Sequence, residues 1–231
     1  MTDECTEPLQ VYLGFDSRAP NAYRVCEASL RRHASIALEV HPLSLAELRA
    51  ARLYRRVHQE RDGRLWDVIS NAPMSTEFTL TRFLVPHLAR YQGWAIYCDC
   101  DFLWRADVAE LMCFADPQYA CMVVKHRYLP QQGEKMRGQW NVIYQRKNWS
   151  SLILWNCAHA QNMRLTPRAV NERHRDELHG FFWLHDWQIG ALPFEWNWLE
   201  LAPKAVHFTS GTPDLPGYED AAYAEEYRSY L

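Results

Sequence analysis

Two aspartates, Asp99 and Asp101, stand one residue apart in the stretch IYCDCDFLW (96–104), at the end of a hydrophobic run. Carboxylates that close repel one another, and an apolar setting adds a desolvation cost, unless something positive lies between them. On a β-strand residues i and i+2 share a side, which predicts Asp99 and Asp101 on one side and Cys98 and Cys100 on the other. At the carboxyl end of a parallel strand, that side is the usual ligand crevice of an open α/β sheet. Carboxylate oxygens suit Mg²⁺ or Mn²⁺, ions that readily share phosphate oxygens, so a divalent cation on a diphosphate is the expected partner. Two plainer readings stand beside it. One is a helix-capping Asp next to a solvated one. The other is a zinc site, which Cys98 and Cys100 cannot close without further ligands, and no CxxC pair supplies them.

The elements that would position this pair follow from hydrophobic period and cap chemistry. Strands are predicted at 10–15, 37–43, 94–98, 119–124, 150–155, 194–199 and 204–208. Helices are predicted over 21–33 with Asn21 as cap, 44–52, 76–90, 107–115 with Asp107 as cap, 166–175 opened by Thr166-Pro167, and 181–192. Residues 53–75 read as a loop or a short helix. Strands alternating with helices imply a mostly parallel sheet covered on both faces.

At 231 residues, 48% hydrophobic and 23% charged, the chain fits one α/β domain over 1–231. A formal charge of −3 excludes a wholly basic, polyanion-seeking surface. Seven scattered cysteines read as reduced thiols of a cytoplasmic protein. The polar, acidic start MTDECTEPLQ does not resemble a secretory leader, and no apolar run is long enough to span a membrane. Residues 125–148 differ from the rest: Lys125, Arg127, Lys135, Arg137, Arg146 and Lys147 face only Glu134, with Tyr128, Trp140, Tyr144 and Trp149 in or beside them. This segment reads as an insertion on the acceptor side, or as a grip for a polyanion.

Several stretches, in order, resemble family 8 glycosyltransferases, the glycogenin and bacterial galactosyltransferase group. TEFTLTRFLVPHLARYQGWAIYCDCDFLWRADVAEL (76–111) is similar to that family's Arg-bearing helix, apolar strand, DxD and short acidic helix. VYLGFDSR (11–18) resembles its nucleotide-binding first strand and turn, and NWSSLILWN (148–156) its small-residue strand. WLHDWQIGALPFEWNWL (183–199) resembles its Asp/Gln helix and the strand after it, and AVHFTSG (205–211) its late His-bearing segment.

The resemblance implies a GT-A fold and metal-dependent, retaining transfer of a hexose from a UDP-sugar to an acceptor hydroxyl. Asp99, Asp101 and His207 would hold Mn²⁺ or Mg²⁺, with Asp99 also near the donor ribose. Asp16, Ser17 and Arg18 would meet the nucleoside or phosphate, and Arg82 would point at the donor. Asp186 would grip sugar hydroxyls with Gln188 beside it, and Asn156 is either a donor-sugar contact or a strand-end cap. The acceptor is a glycan, a small molecule or a nucleic acid. One departure touches the chemistry: the family's late Lys, which steadies the departing diphosphate, has no counterpart in HFTSGTPD (207–214). Lys125, Arg146 or Lys147 are the candidate substitutes. Two other functions share the Asp-x-Asp signature: a haloacid-dehalogenase-like phosphohydrolase with the first Asp as nucleophile, and a degenerate, non-catalytic protein that binds a nucleotide sugar or a polyanion.

Overall fold

The structure is a computed structural model that describes residues 7–126, 134–135, 139–140, 146, 148–197 and 203–231. In chain order its elements are β1 (Leu9–Gly14), α1 (Pro20–His33), β2 (Leu38–Leu43), α2 (Leu45–Ala50), β3 (His58–Arg61), β4 (Arg64–Asp67), β5 (Ala72–Met74), α3 (Val85–Leu88), β6 (Trp94–Cys98), β7 (Phe102–Trp104) and α4 (Ala109–Met112). Then come β8 (Cys121–Val124), β9 (Glu134–Lys135), β10 (Gln139–Trp140), β11 (Leu152–Asn156), α5 (Pro167–Glu172), α6 (Arg175–His179), β12 (Ile189–Leu192), β13 (Ala205–His207) and α7 (Ala224–Arg228).

The central sheet has the order β12-β8-β11-β6-β1-β2. β11 runs antiparallel to both its neighbours, and the other pairs are parallel. Period-two alternation splits the strand side chains between two cores. Ala95, Tyr97, Val123 and Ile153 join Phe83, Phe181 and Trp183 on one face. Ile96, Cys98, Val124, Leu152 and Leu154 join Phe102, Trp104 and Trp196 on the other, where α1 also buries Cys26 and Leu30. A sheet buried on both faces is what near-continuous apolar runs such as LILW require.

Five sequence expectations are corrected. Residues 53–75 form the antiparallel sheet β3-β4-β5. The helix expected over 76–90 is broken into turns, a 3₁₀ turn Thr81–Leu84 and the short α3. Pro86 explains the break, because its ring crowds the carbonyl four residues back, at Arg82, and it has no N–H to give. The helix expected over 181–192 is instead a chain of turns leading into edge strand β12. There a Cβ on Gly190 would stand 2.7 Å from Met122 and Tyr119 side-chain atoms, so only glycine lets β12 lie this close to β8. In place of the strand expected at 194–199, Phe194–Trp196 form a 3₁₀ turn after Pro193, Asn197 follows it, and 198–199 lie outside the described residues. Finally, α1 starts at Pro20, so Asn21 lies inside the helix and is not its cap.

Candidate metal and nucleotide site

Three separate elements deliver the central cluster. β6 ends at Cys98, and the backbone N–H of Asp99 donates to the Ser151 carbonyl at 2.9 Å. A turn then carries Asp101 round to β7. The two aspartates therefore converge through a turn and not through strand alternation. β13 pairs antiparallel with β7, setting His207 opposite Phe102, and the Phe208 N–H donates to the Asp101 carbonyl at 2.9 Å. One ligand atom each from Asp99, Asp101 and His207 lies within 4.8 Å of the others.

The lone pairs of this cluster face inward. Asn197 donates from Nδ2 to Ser151 Oγ at 2.8 Å and to the Asn148 carbonyl at 3.4 Å, which orients its amide. Its Oδ1 then accepts from His207 Nδ1 at 2.9 Å. With the proton on Nδ1, the lone pair of Nε2 faces Asp101 Oδ1, 3.2 Å away. That carboxylate oxygen is buried and receives no hydrogen bond among the described residues. A neutral imidazole leaves two acceptors facing each other, and a cation between them satisfies both, as a second ring proton also would. Phe102 stacks on the imidazole at 4.3 Å and fixes its plane. A neutral imidazole, two carboxylates and an orienting amide fit a divalent ion with oxygen-rich coordination.

Asp99 is 8% exposed and already partnered. Tyr97 donates its hydroxyl to Oδ1 at 2.6 Å, and Arg82 Nη1 lies 3.0 Å from the same oxygen. Arg82 also donates to the Ser150 carbonyl at 2.8 Å, while Ser150 Oγ bonds His179 Nδ1 at 2.9 Å. Burial pushes the Asp99 carboxyl up to about 6; Arg82 opposes the rise and Asp101 adds to it. Two carboxylates and one guanidinium leave a net negative charge, which a divalent ion converts to a net positive one facing any diphosphate. Arg82 was expected on a helix and pointing at the donor; it sits on a 3₁₀ turn and reaches Asp99.

The other expected residues fare differently. Asp16, Ser17 and Arg18 follow β1, on the same sheet edge as Asp99, because β1 runs parallel to β6. Their polar groups are engaged with one another and with 75–77: Arg18 Nε donates to Asp16 Oδ1 at 2.8 Å, and Ser17 N and Oγ both donate to Glu77 at 2.8 Å. Burial raises the Asp16 carboxyl, but the Arg18 hydrogen bonds outweigh it and hold the group low. Gln188 is buried and its Oε1 accepts from the His185 N–H at 3.0 Å, so it braces its own turn. Of the two roles expected for Asn156, the structure favours the strand-end cap over the donor contact. It pairs with Trp94, the first residue of β6, while Leu152 pairs with Cys98, the last. Asn156 therefore stands at the end of the sheet away from Asp99, roughly 13 Å along the strand, and caps β11 by donating to the Tyr119 carbonyl at 3.1 Å.

Asp186 has a side chain 86% exposed and forms an ion pair with Arg146. These two line a cavity of about 460 Å³ with Lys125 and Trp149. Of the basic segment, Arg127, Arg137, Lys147 and the Lys135 side chain, with the aromatic Tyr128 and Tyr144 and the Trp140 side chain, lie outside the described residues. Cys98 and Cys100 are buried, and neither belongs to the ligand cluster found among the described residues. Asn197, Tyr97 and Ser151 carry roles that sequence reasoning did not assign. The usable signal was the Asn before a late His, with small hydroxyl residues opening the strand at 150.

Over 230 residues the chain is 40% identical to Protein CDI of Arabidopsis thaliana, an alignment spanning 95% of this chain and 84% of that protein. The chain belongs to the Protein CDI family. No family model matches it. Among solved structures, the galactosyltransferase LgtC, in complex with donor and acceptor sugar analogs, superposes with a TM-score of 0.58 at 11% identity over 96% of this chain and 95% of its own. The glycosyltransferase GlyE of Streptococcus pneumoniae TIGR4 gives 0.60 at 15% identity over 96% of this chain, and the bifunctional WbbM gives 0.60 at 13% over all of it. The chain spans only 60% of GlyE and 53% of WbbM. This member of the Protein CDI family thus has the GT-A glycosyltransferase fold, as the sequence resemblance implied. No helix among the described residues is long and apolar enough to cross a membrane.

Proposed function

We propose that this protein is a metal-dependent glycosyltransferase that moves a sugar from a nucleotide-sugar donor to an acceptor hydroxyl. The observation that carries the reading is the cluster of Asp99, Asp101 and His207, with the buried Asp101 Oδ1 3.2 Å from His207 Nε2. Asp99, Asp101 and His207 hold Mn²⁺ or Mg²⁺, which when bound supplies charge neutralisation at the donor diphosphate. Asn197 keeps His207 in the ligating tautomer. Arg82 and Tyr97 hold the Asp99 carboxylate in place and offset the cost of its ionisation. The Asp16–Arg18 turn borders the nucleoside, and Asp186 positions the sugar. A UDP donor, a hexose and retention of configuration come from the family resemblance, with the shared fold as support.

The phosphohydrolase reading requires a free nucleophilic oxygen on Asp99. The solved structures that share this fold are glycosyltransferases, which favours the transferase. Six free cysteines among the described residues, five of them buried, support a reducing compartment and hence the cytoplasm.

Titration calorimetry with Mn²⁺ and then UDP-glucose or UDP-galactose tests the site. The expected result is donor binding that needs Mn²⁺ and disappears in Asp101→Asn. Equal donor binding with and without the metal, or in the variant, sinks the proposal.

A further inference from the structure

The cavity at Asp186 carries a charge of its own. It is lined by Lys125, Arg146, Trp149 and Asp186 and measures about 460 Å³, within the roughly 300–1,000 Å³ usual for small-molecule sites. Lys125 Nζ lies 5.8 Å and Arg146 Cζ 5.5 Å from the Trp149 ring centroid, so both cations sit near one indole wall. Asp186 neutralises Arg146. Lys125 has no carboxylate partner among the described residues; it donates to the Ile189 carbonyl at 2.6 Å, which uses one of its three N–H groups. Among the described residues the wall is therefore positive by one charge, and two lysine donors have no hydrogen-bond partner there.

The cavity is connected to the metal cluster through Trp149 and the residue after it. Trp149 precedes Ser150, whose carbonyl binds Arg82, the partner of Asp99. Its indole Nε1 donates to the His126 carbonyl at 3.2 Å.

We infer that this cavity takes a sugar ring bearing a carboxylate, a hexuronate, with its acid group on Lys125, its hydroxyls on Asp186 and its apolar face against Trp149. A neutral hexose would leave the Lys125 charge uncompensated in a half-buried wall, whereas a carboxylate completes it with a charge-assisted bond. An acidic sugar can arrive as the donor's glycosyl group or as the acceptor. The inference rests on the transferase reading for that division of roles, but not for binding itself.

The test is calorimetry at saturating Mn²⁺ with four probes: UDP-glucuronate, UDP-glucose, free glucuronate and free glucose. The expected result is an acid form binding roughly tenfold tighter than its neutral counterpart. A preference among the UDP-sugars assigns the acid to the donor, and one among the free sugars assigns it to the acceptor. In Lys125→Met the acid-over-neutral ratio should collapse toward one, and Lys125→Arg should restore it, with retained Mn²⁺ binding showing that both variants are folded. No preference in the wild type, or a preference that survives Lys125→Met, overturns the inference. Binding of free glucuronate without any binding of UDP-sugars would overturn the transferase reading alone.

Discussion

Two buried Arg–Asp pairs in this molecule have opposite characters. Arg56 and Asp67 are completely enclosed, with both side chains 0% exposed, and every strong donor and acceptor is matched. Arg56 Nε donates to Asp67 Oδ1 at 2.9 Å, its Nη2 contacts Oδ2, and its Nη1 donates to the Val170 and Arg173 carbonyls at 3.0 and 2.7 Å. The Ser70 N–H adds a bond to Asp67 at 2.8 Å. Burial raises the Asp67 carboxyl, yet the Arg56 and Ser70 bonds win and hold it below its ordinary value. At Arg82–Asp99, burial and the neighbouring Asp101 win, and the carboxyl rises to about 6. The first pair is saturated and pins the β3-β4-β5 sheet to α5 and the turn after it. The second sits next to an unbonded oxygen and an inward-facing imidazole. What separates a structural ion pair from a binding site here is unfilled coordination, not burial.

Each half of that comparison can be broken. The largest effect is expected at the saturated pair. Arg56→Met strands a buried carboxylate and should cost about 3–5 kcal/mol in urea denaturation, with Mn²⁺ affinity of the folded fraction unchanged. A cost no greater than that of an exposed pair, about 1 kcal/mol, would show that Asp67 finds other solvation. At the unsaturated cluster, Asp101→Asn should lower Mn²⁺ affinity more than ~100-fold, since a lost ligand exceeds the ~10–100-fold cost of a lost outer partner. Its metal-free stability should not fall, because the substitution removes a like charge beside Asp99. Asn197→Ala should cost ~10–100-fold in Mn²⁺ affinity and free the His207 tautomer, which imidazole nitrogen NMR would register.

The two pairs should also diverge with pH. Asp99 has a raised folded value, so the stability it contributes is present at low pH and lost as pH rises through about 6. Asp67 has a lowered one, so its contribution is present above the unfolded value, about 3.9, and lost as pH falls below it. Metal binding needs ionised Asp99, and Mn²⁺ affinity measured at pH 7.5 and 5.0 should weaken toward acid. An affinity that is flat across this range would remove Asp99 from the ligand set. The smallest effect belongs to the far end of the sheet: Asn156→Ala should cost about 1 kcal/mol for its cap bonds and leave Mn²⁺ and donor binding unchanged. A loss of donor binding there would reinstate the contact that the β6–β11 register argues against.

The sequence alone determined what local pattern can encode. The apolar runs of β1, β6, β8 and β11 announced buried strands, Ser44 and Thr166 marked helix starts, and Asp99 with Asp101 marked the end of β6 as chemically unusual. A resemblance, not a pattern, brought in His207. Local pattern failed at 181–192, where the spacing of apolar residues suits a helix but Gly190 and the β8 edge favour a strand. It failed at 53–75, where a buried ion pair with partners more than a hundred residues away organises a small polar sheet. Only the tertiary structure decided that Asp101 and His207 face each other, that Asn197 sets the tautomer, and that Asn156 belongs to the opposite end. Those relations depend on strand register and on hydrogen bonds between distant segments, and neither leaves a periodic trace in the chain.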